Sequence, residues 1–182
     1  MEETSIIISG FGGQGTLFAG QVLAYASMDN GFEVTWIPSY GPEMRGGTAH
    51  CTVIVSDETI GSPLVRKPDA VLALNLPSVD KYETLIKDGG VMVANSSLVN
   101  REINREGISS LLIPANKIAE EMGMTRLANM IMMGAFLAMK PILPLEEVKK
   151  ALGEHLPERH QKTLPMNYEA MEKGYQFALD HN

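Results

Sequence analysis

Residues 9–24 read SGFGGQGTLFAGQVLA, and residues 38–51 read PSYGPEMRGGTAHC. Gly10, Gly12 and Gly15 satisfy the spacing G-x-G-x-x-G. Glycine in that spacing lets backbone N–H groups approach an anion, and the N-terminus of the helix that follows adds partial positive charge. Gly12, Gly13, Gln14 and Gly15 are therefore candidate contacts for a phosphate-bearing ligand. The extra Gly13, followed by Gln14, makes the turn more open than a standard dinucleotide fingerprint. That fingerprint also requires an Asp or Glu ending the second strand, to hold ribose hydroxyls. Here the strand ends VTWIPSYG, with Pro38, Ser39 and Tyr40 in place of the acid. The same glycines would equally allow tight strand-to-helix packing with no ligand.

The second loop, SYGPEMRGG, follows the second strand, so both loops are expected at the carboxyl edge of an open sheet, where ligands gather. Arg45 is flanked by Gly46 and Gly47, which leave its guanidinium fork open to a phosphate or carboxylate. Tyr40 adds a ring and a hydroxyl. The candidate ligand set is thus Gly12, Gly13, Gln14, Gly15, Tyr40, Arg45 and Gly46. A plainer alternative is a Glu43–Arg45 salt bridge beside a Gly41-Pro42 turn.

Other reactive residue types form no constellation, so no catalytic and no metal-ligating residues are assigned. Adjacent positions on a strand point to opposite faces, which makes His50 and Cys51 poor co-ligands. Cys51 has no identifiable base and reads as a buried strand thiol. His155, His160 and His181 fall in a helical tail and read as solvated surface.

These residues need a frame to hold them. The spacing predicts strands over 5–9, 32–37, 48–56, 69–75, 90–95 and 110–115, with helices over 14–30 and 78–87. From Asn116 onward the chain reads as helical in three or four pieces broken by Pro141, Pro144, Pro157 and Pro165. The segment 127–139, LANMIMMGAFLAM, is apolar on nearly every side, which suits either a core helix or one covered by a partner. Strands alternating with helices argue for an α/β, Rossmann-like, largely parallel sheet with helices on both faces and a helical C-terminal region. The expected organisation is one domain over 1–182, with a sheet core in 1–115 and a helical part in 116–182.

Composition narrows the function. The 182 residues carry a net charge of -7, which disfavours nucleic acid and anionic membranes as partners. No apolar run reaches the roughly 20 residues of a membrane span, and MEETSIIISG does not read as a signal peptide. One cysteine permits neither an internal disulfide nor a cysteine-ligated iron–sulfur cluster held by this chain alone, in keeping with a cytoplasmic location.

The segments GFGGQGTLFAGQVLA, PSYGPEMRGGTAHCTVIVSDETIGSP and DAVLALN, in this order, resemble the gamma subunit of 2-oxoacid:ferredoxin oxidoreductases. The later NSSLV, IPANKIAEEMG, LANMIMMGAFLA and NYEAMEKG extend the resemblance over nearly the whole chain. It implies membership of a multi-subunit enzyme that decarboxylates a 2-oxoacid, makes an acyl-CoA and reduces ferredoxin. It further implies alpha, beta and ferredoxin-like delta partners, with thiamine diphosphate, magnesium and iron–sulfur clusters in those subunits. The gamma part would lie beside the entry of coenzyme A, without being catalytic alone. Overall likeness leans towards a 2-oxoglutarate or branched-chain substrate. The string KDGGVMVAN fails the Gly-Asp-Gly…Asn pattern of a thiamine diphosphate subunit, consistent with that division of labour. The alternatives are an independent NAD- or FAD-binding oxidoreductase and a purely structural interaction subunit.

Overall fold

The computed structural model describes residues 3–39 and 48–181. The chain runs β1 (Thr4–Phe11), α1 (Thr16–Asp29), β2 (Glu33–Ser39), β3 (Thr48–Ser56), β4 (Ala70–Ala73), α2 (Leu76–Tyr82), β5 (Val91–Asn95), β6 (Ser109–Ile113), α3 (Ala115–Glu121), α4 (Ala128–Met139), α5 (Leu145–His155) and α6 (Leu164–His181). Short 3₁₀ turns occupy Glu83–Leu85, Thr125–Leu127 and Glu158–Thr163.

The six strands form one sheet in the order β2-β3-β1-β4-β5-β6. β1, β4, β5 and β6 pair in parallel, while β3 is antiparallel to both β1 and β2. Five strands therefore point one way and β3 alone is reversed. Parallel neighbours need a crossover, but β2 and β3 form a hairpin, and this places β3 where a Rossmann sheet has its second strand.

Alternation along β1 divides the core. Ile6 and Ile8 join a cluster with α1, α4, α5 and α6 on one face, and Ile7 joins Val71, Met92, Val79 and Tyr82 on the other. Helices thus cover both faces, thickly on the first and by α2 with its following loop on the second. The first cluster contains residues of both the sheet and α4 to α6, so the helical part shares its core with the strands. No helix among the described residues is long and apolar enough to cross a membrane.

Several boundaries differ from the sequence expectation. α2 starts at Leu76, two residues before the expected Ser78, because Asn75 caps it: its side chain accepts from the Ser78 N–H at 2.9 Å. Helical geometry there gives way to the 3₁₀ turn Glu83–Leu85. Pro165 does not break a helix; it lies in the first turn of α6, where its missing N–H has no intrahelical acceptor to lose. The apolar segment around 127–139 resolves into a core helix. In α4 every residue from Asn129 to Leu137 is buried, chiefly against α6.

Candidate functional site

At the carboxyl edge, β1 feeds α1 on one face and its neighbour β4 feeds α2 on the other. Chain leaving adjacent parallel strands in opposite directions opens a crevice, the usual ligand position in an open α/β sheet. Three of the sequence-predicted contacts, Gly12, Gly13 and Gly15, form the wall above β1. Gly12 and Gly13 are exposed, Gly13 has φ of 92°, and a Cβ there would meet nothing within 4 Å. Gly15 has φ of 76° and is the N-cap of α1, with no side-chain cap and no acidic residue in the first turn. The positive dipole end of that helix is therefore not neutralised by a side-chain cap or a first-turn carboxylate.

Gln14 has a different place. Its Oε1 accepts from the Phe11 N–H at 2.6 Å, its own N–H donates to the Phe11 carbonyl at 3.2 Å, and Nε2 donates to the Leu74 carbonyl at 3.4 Å. Its amide is a brace that closes the turn against the end of β4. Gly10 is needed for this brace, since a Cβ would stand 2.6 Å from Gln14 Oε1 and 2.9 Å from Leu74 Cβ. Tyr40, Arg45 and Gly46 lie outside the described residues. The strand ends that carry their loop are at the same edge, with Ser39 paired to His50 and Thr48 paired to Phe11.

The edge is stiffened by residues that sequence reasoning passed over. Asn129, 5% exposed at the start of α4, donates from Nδ2 to the Gly15 carbonyl at 3.2 Å. Ser78 donates to Asn75 Oδ1 at 2.6 Å, and its Oγ lies 2.9 Å from that of Ser9. Asn95, fully buried at the end of β5, accepts from the Ala115 N–H at 3.1 Å and donates to Asn116 Oδ1 at 2.8 Å. Only Asn75 had a local signal, an Asn followed two residues later by Pro at a helix start. Asn129 and Asn95 pair across 20 to 114 positions of sequence, and Ser78 reaches Ser9 across 69.

His50 and Cys51 do point to opposite faces. Cys51 Sγ lies 3.5 Å from the Thr16 carbonyl under α1, and burial pushes its thiol up to about 12. His50 faces the Tyr82 ring at 6.1 Å, and burial with the nearby Lys81 charge lowers its pKa, so the imidazole is neutral near pH 7. In KDGGVMVAN, Asp88 precedes β5 and Asn95 ends it, so the two sit at opposite edges of the sheet and cannot share one magnesium. Asp88 instead pairs with Arg105 at 2.5 Å. His155, His160 and His181 are exposed; His155 stacks on Tyr25 and lies 2.9 Å from Asp29. A dinucleotide ribose also lacks its usual support, because β3 stands between β2 and β1 and keeps the end of β2 off the glycine turn.

The topology and the glycine turn define an α/β domain with helices on both faces of its sheet and an exposed glycine turn at the carboxyl edge. Residues 5–177 match the pyruvate ferredoxin/flavodoxin oxidoreductase family, and the chain belongs to it. It is 36% identical over 180 residues to ketoisovalerate oxidoreductase subunit VorA of Methanothermobacter thermautotrophicus, covering 98% of this chain but 37% of that relative. The chain thus spans little more than a third of that protein's length. The fold matches the keto/oxoacid ferredoxin oxidoreductase gamma subunit of Geobacter sulfurreducens with a TM-score of 0.85 and 30% identity, over 99% of this chain and 98% of that one. It also matches the 2-oxoglutarate:ferredoxin oxidoreductase of Magnetococcus marinus, solved with 2-oxoglutarate, coenzyme A and succinyl-CoA bound. There the TM-score is 0.86 at 25% identity, over 100% of this chain and 32% of that one.

Proposed function

We propose that this chain is the gamma-type subunit of a cytoplasmic, CoA-dependent 2-oxoacid:ferredoxin oxidoreductase, inactive alone and lining the entry of coenzyme A. The observation that carries the reading is the exposed Gly12-Gly13 turn over the uncapped N-terminus of α1 at the switch point. The family membership and the coenzyme A bound in the Magnetococcus relative support the choice of ligand. Partner alpha and beta subunits, with a ferredoxin-like delta subunit, would hold thiamine diphosphate, magnesium and the iron–sulfur clusters. They would also build the substrate pocket, for which 2-oxoglutarate or a branched-chain 2-oxoacid is favoured.

In this reading Gly12, Gly13 and Gly15 bring backbone N–H groups and a helix dipole to a coenzyme A phosphate. Gln14 holds their turn in shape. Tyr40, Arg45 and Gly46 complete the proposed contact set, with the Arg45 guanidinium pairing with phosphate. Local donors of this kind have to overcome the repulsion of a chain whose net charge is -7.

The test is Arg45→Ala in the assembled enzyme. Losing a charge-assisted bond of about 1.5–3 kcal/mol should raise the Michaelis constant for coenzyme A roughly tenfold to hundredfold. The Michaelis constant for the 2-oxoacid should stay put. Normal assembly with unchanged coenzyme A dependence would remove Arg45 from the site.

A further inference from the structure

The segment DETIGSP, within one of the stretches that carry the family resemblance, has no place in the coenzyme A crevice. It begins the connection 57–69 between β3 and β4. Val55 and Ser56 pair with Thr4 and Glu33, so this connection leaves from the amino edge, opposite the glycine turn. β3 and β4 flank β1, two strand spacings or about 10 Å apart, a gap that about three extended residues span. The chain spends thirteen there, without regular secondary structure. Irregular connections of such length in compact domains usually serve a function.

The surplus chain displays a specific surface. Leu64 is 82% exposed, the most exposed large apolar side chain among the described residues. It follows Pro63, which limits the backbone freedom of the display. After Val65 come Arg66 and Lys67, both exposed and neither in an ion pair among the described residues. Met28, 57% exposed in the last turn of α1, lies at the same amino edge. An exposed apolar tip beside two cations, neither in an ion pair among the described residues, is complementary to an apolar pocket rimmed by carboxylates.

The occupant follows from how this domain occurs in its relatives. It makes up 37% of the ketoisovalerate relative and 32% of the Magnetococcus chain, yet 98% of the Geobacter gamma subunit. The same domain is thus joined covalently to a larger polypeptide in some proteins and is separate in others. Where it is separate, surface contacts must do what the covalent link does. We propose that the 57–69 loop docks this chain onto the subunit equivalent to the remainder of those longer polypeptides, with Leu64 as the apolar anchor and Arg66 and Lys67 facing acidic side chains. This rests on the reading of the chain as a complex subunit.

The experiment uses the full chain and the purified remaining subunits, with association followed by sedimentation or interferometry. Leu64→Asp should weaken association at least about tenfold, as loss of a central anchor does. Arg66→Glu with Lys67→Glu should weaken it too and flatten its dependence on salt. Both variants should keep the wild-type melting temperature, because these side chains support nothing in the fold. Arg45→Ala should associate normally, so a failed coenzyme A assignment and a failed docking assignment give different results. Wild-type association of both loop variants would overturn the proposal. So would self-association of the isolated chain that Leu64→Asp abolishes while complex assembly is untouched, since the loop would then seat a second copy.

Discussion

Gly134→Ala should destabilise the protein although alanine is the better helix former. α4 and α6 cross with their backbones in contact. A Cβ on Gly134 would stand 2.7 Å from the Met171 carbonyl carbon and 2.9 Å from its Cα. From the other side, a Cβ on Gly174 would stand 2.7 Å from the Ile131 carbonyl carbon. Carbon atoms pack at about 3.5–4.0 Å, so the helices would have to part by about 1 Å. The obstructing atoms are helix backbone, which has no rotamer to change. A gap of that size forfeits about a quarter to a half of the dispersion well for each facing pair. The pairs at risk belong to fully buried Met130, Ile131, Met133, Ala170 and Met171. Overpacking of this kind costs about 1–3 kcal/mol, and unyielding backbone puts this site at or above the top of that range. Alanine's propensity returns about 1 kcal/mol. The net loss of about 2–3 kcal/mol corresponds to a melting temperature roughly 4–12 °C lower for a domain of this size. Gly61→Ala is the control: a Cβ there meets nothing, and the change should stay within about 0.5 kcal/mol. The Gly134→Ala/Gly174→Ala double variant should cost less than the sum, because one separation of the helices accommodates both methyl groups. Calorimetry decides it. A Gly134→Ala protein as stable as wild type would refute the close crossing.

Asn129→Ala removes one of two donors to the Gly15 carbonyl, which keeps the Ala19 N–H, and should cost about 1 kcal/mol, with faster hydrogen exchange confined to residues 10–18 and the start of α4; unchanged exchange there would mean that α4 does not hold the glycine turn. The acid limb of stability should come largely from two carboxylates. Burial opposes ionisation of Asp69 and Glu83, but hydrogen bonds from Ser5 and Lys87 to the first, and from Arg101, Asn104 and Arg105 to the second, hold both below their ordinary values. Their folded values lie below the unfolded ones, so their contribution is complete above about pH 4–5 and is lost as pH falls through the folded values. Asp69→Asn with Glu83→Gln should flatten the melting temperature below about pH 4, and an acid limb as steep as wild type would assign the loss elsewhere.

Sequence alone determined the features that local chemistry dictates. Apolar runs, and for Thr48–Ser56 a richness in Thr and Val, located all six strands, that one to the residue, because strand geometry favours those side chains locally. Glycine spacing located the turn at Gly12–Gly15, since positive φ at Gly13 and Gly15 is a property of those residues themselves. The helix at 128–139 was legible as apolar on every side, but whether core or partner covered it was not; that depends on α6, some thirty residues further on. The direction of β3 was equally hidden, because a strand's own pattern is blind to the orientation of its neighbours. Gln14 showed the same limit. Its amide reads as a ligand contact until the ends of β1 and β4 come together and supply it with partners. The polar clamps of the edge, Asn129 to Gly15 and Asn95 to Ala115 and Asn116, exist only in three dimensions. Such a pair is fixed by how elements stack, and stacking is decided by the sum of many weak contacts that no short window of sequence contains.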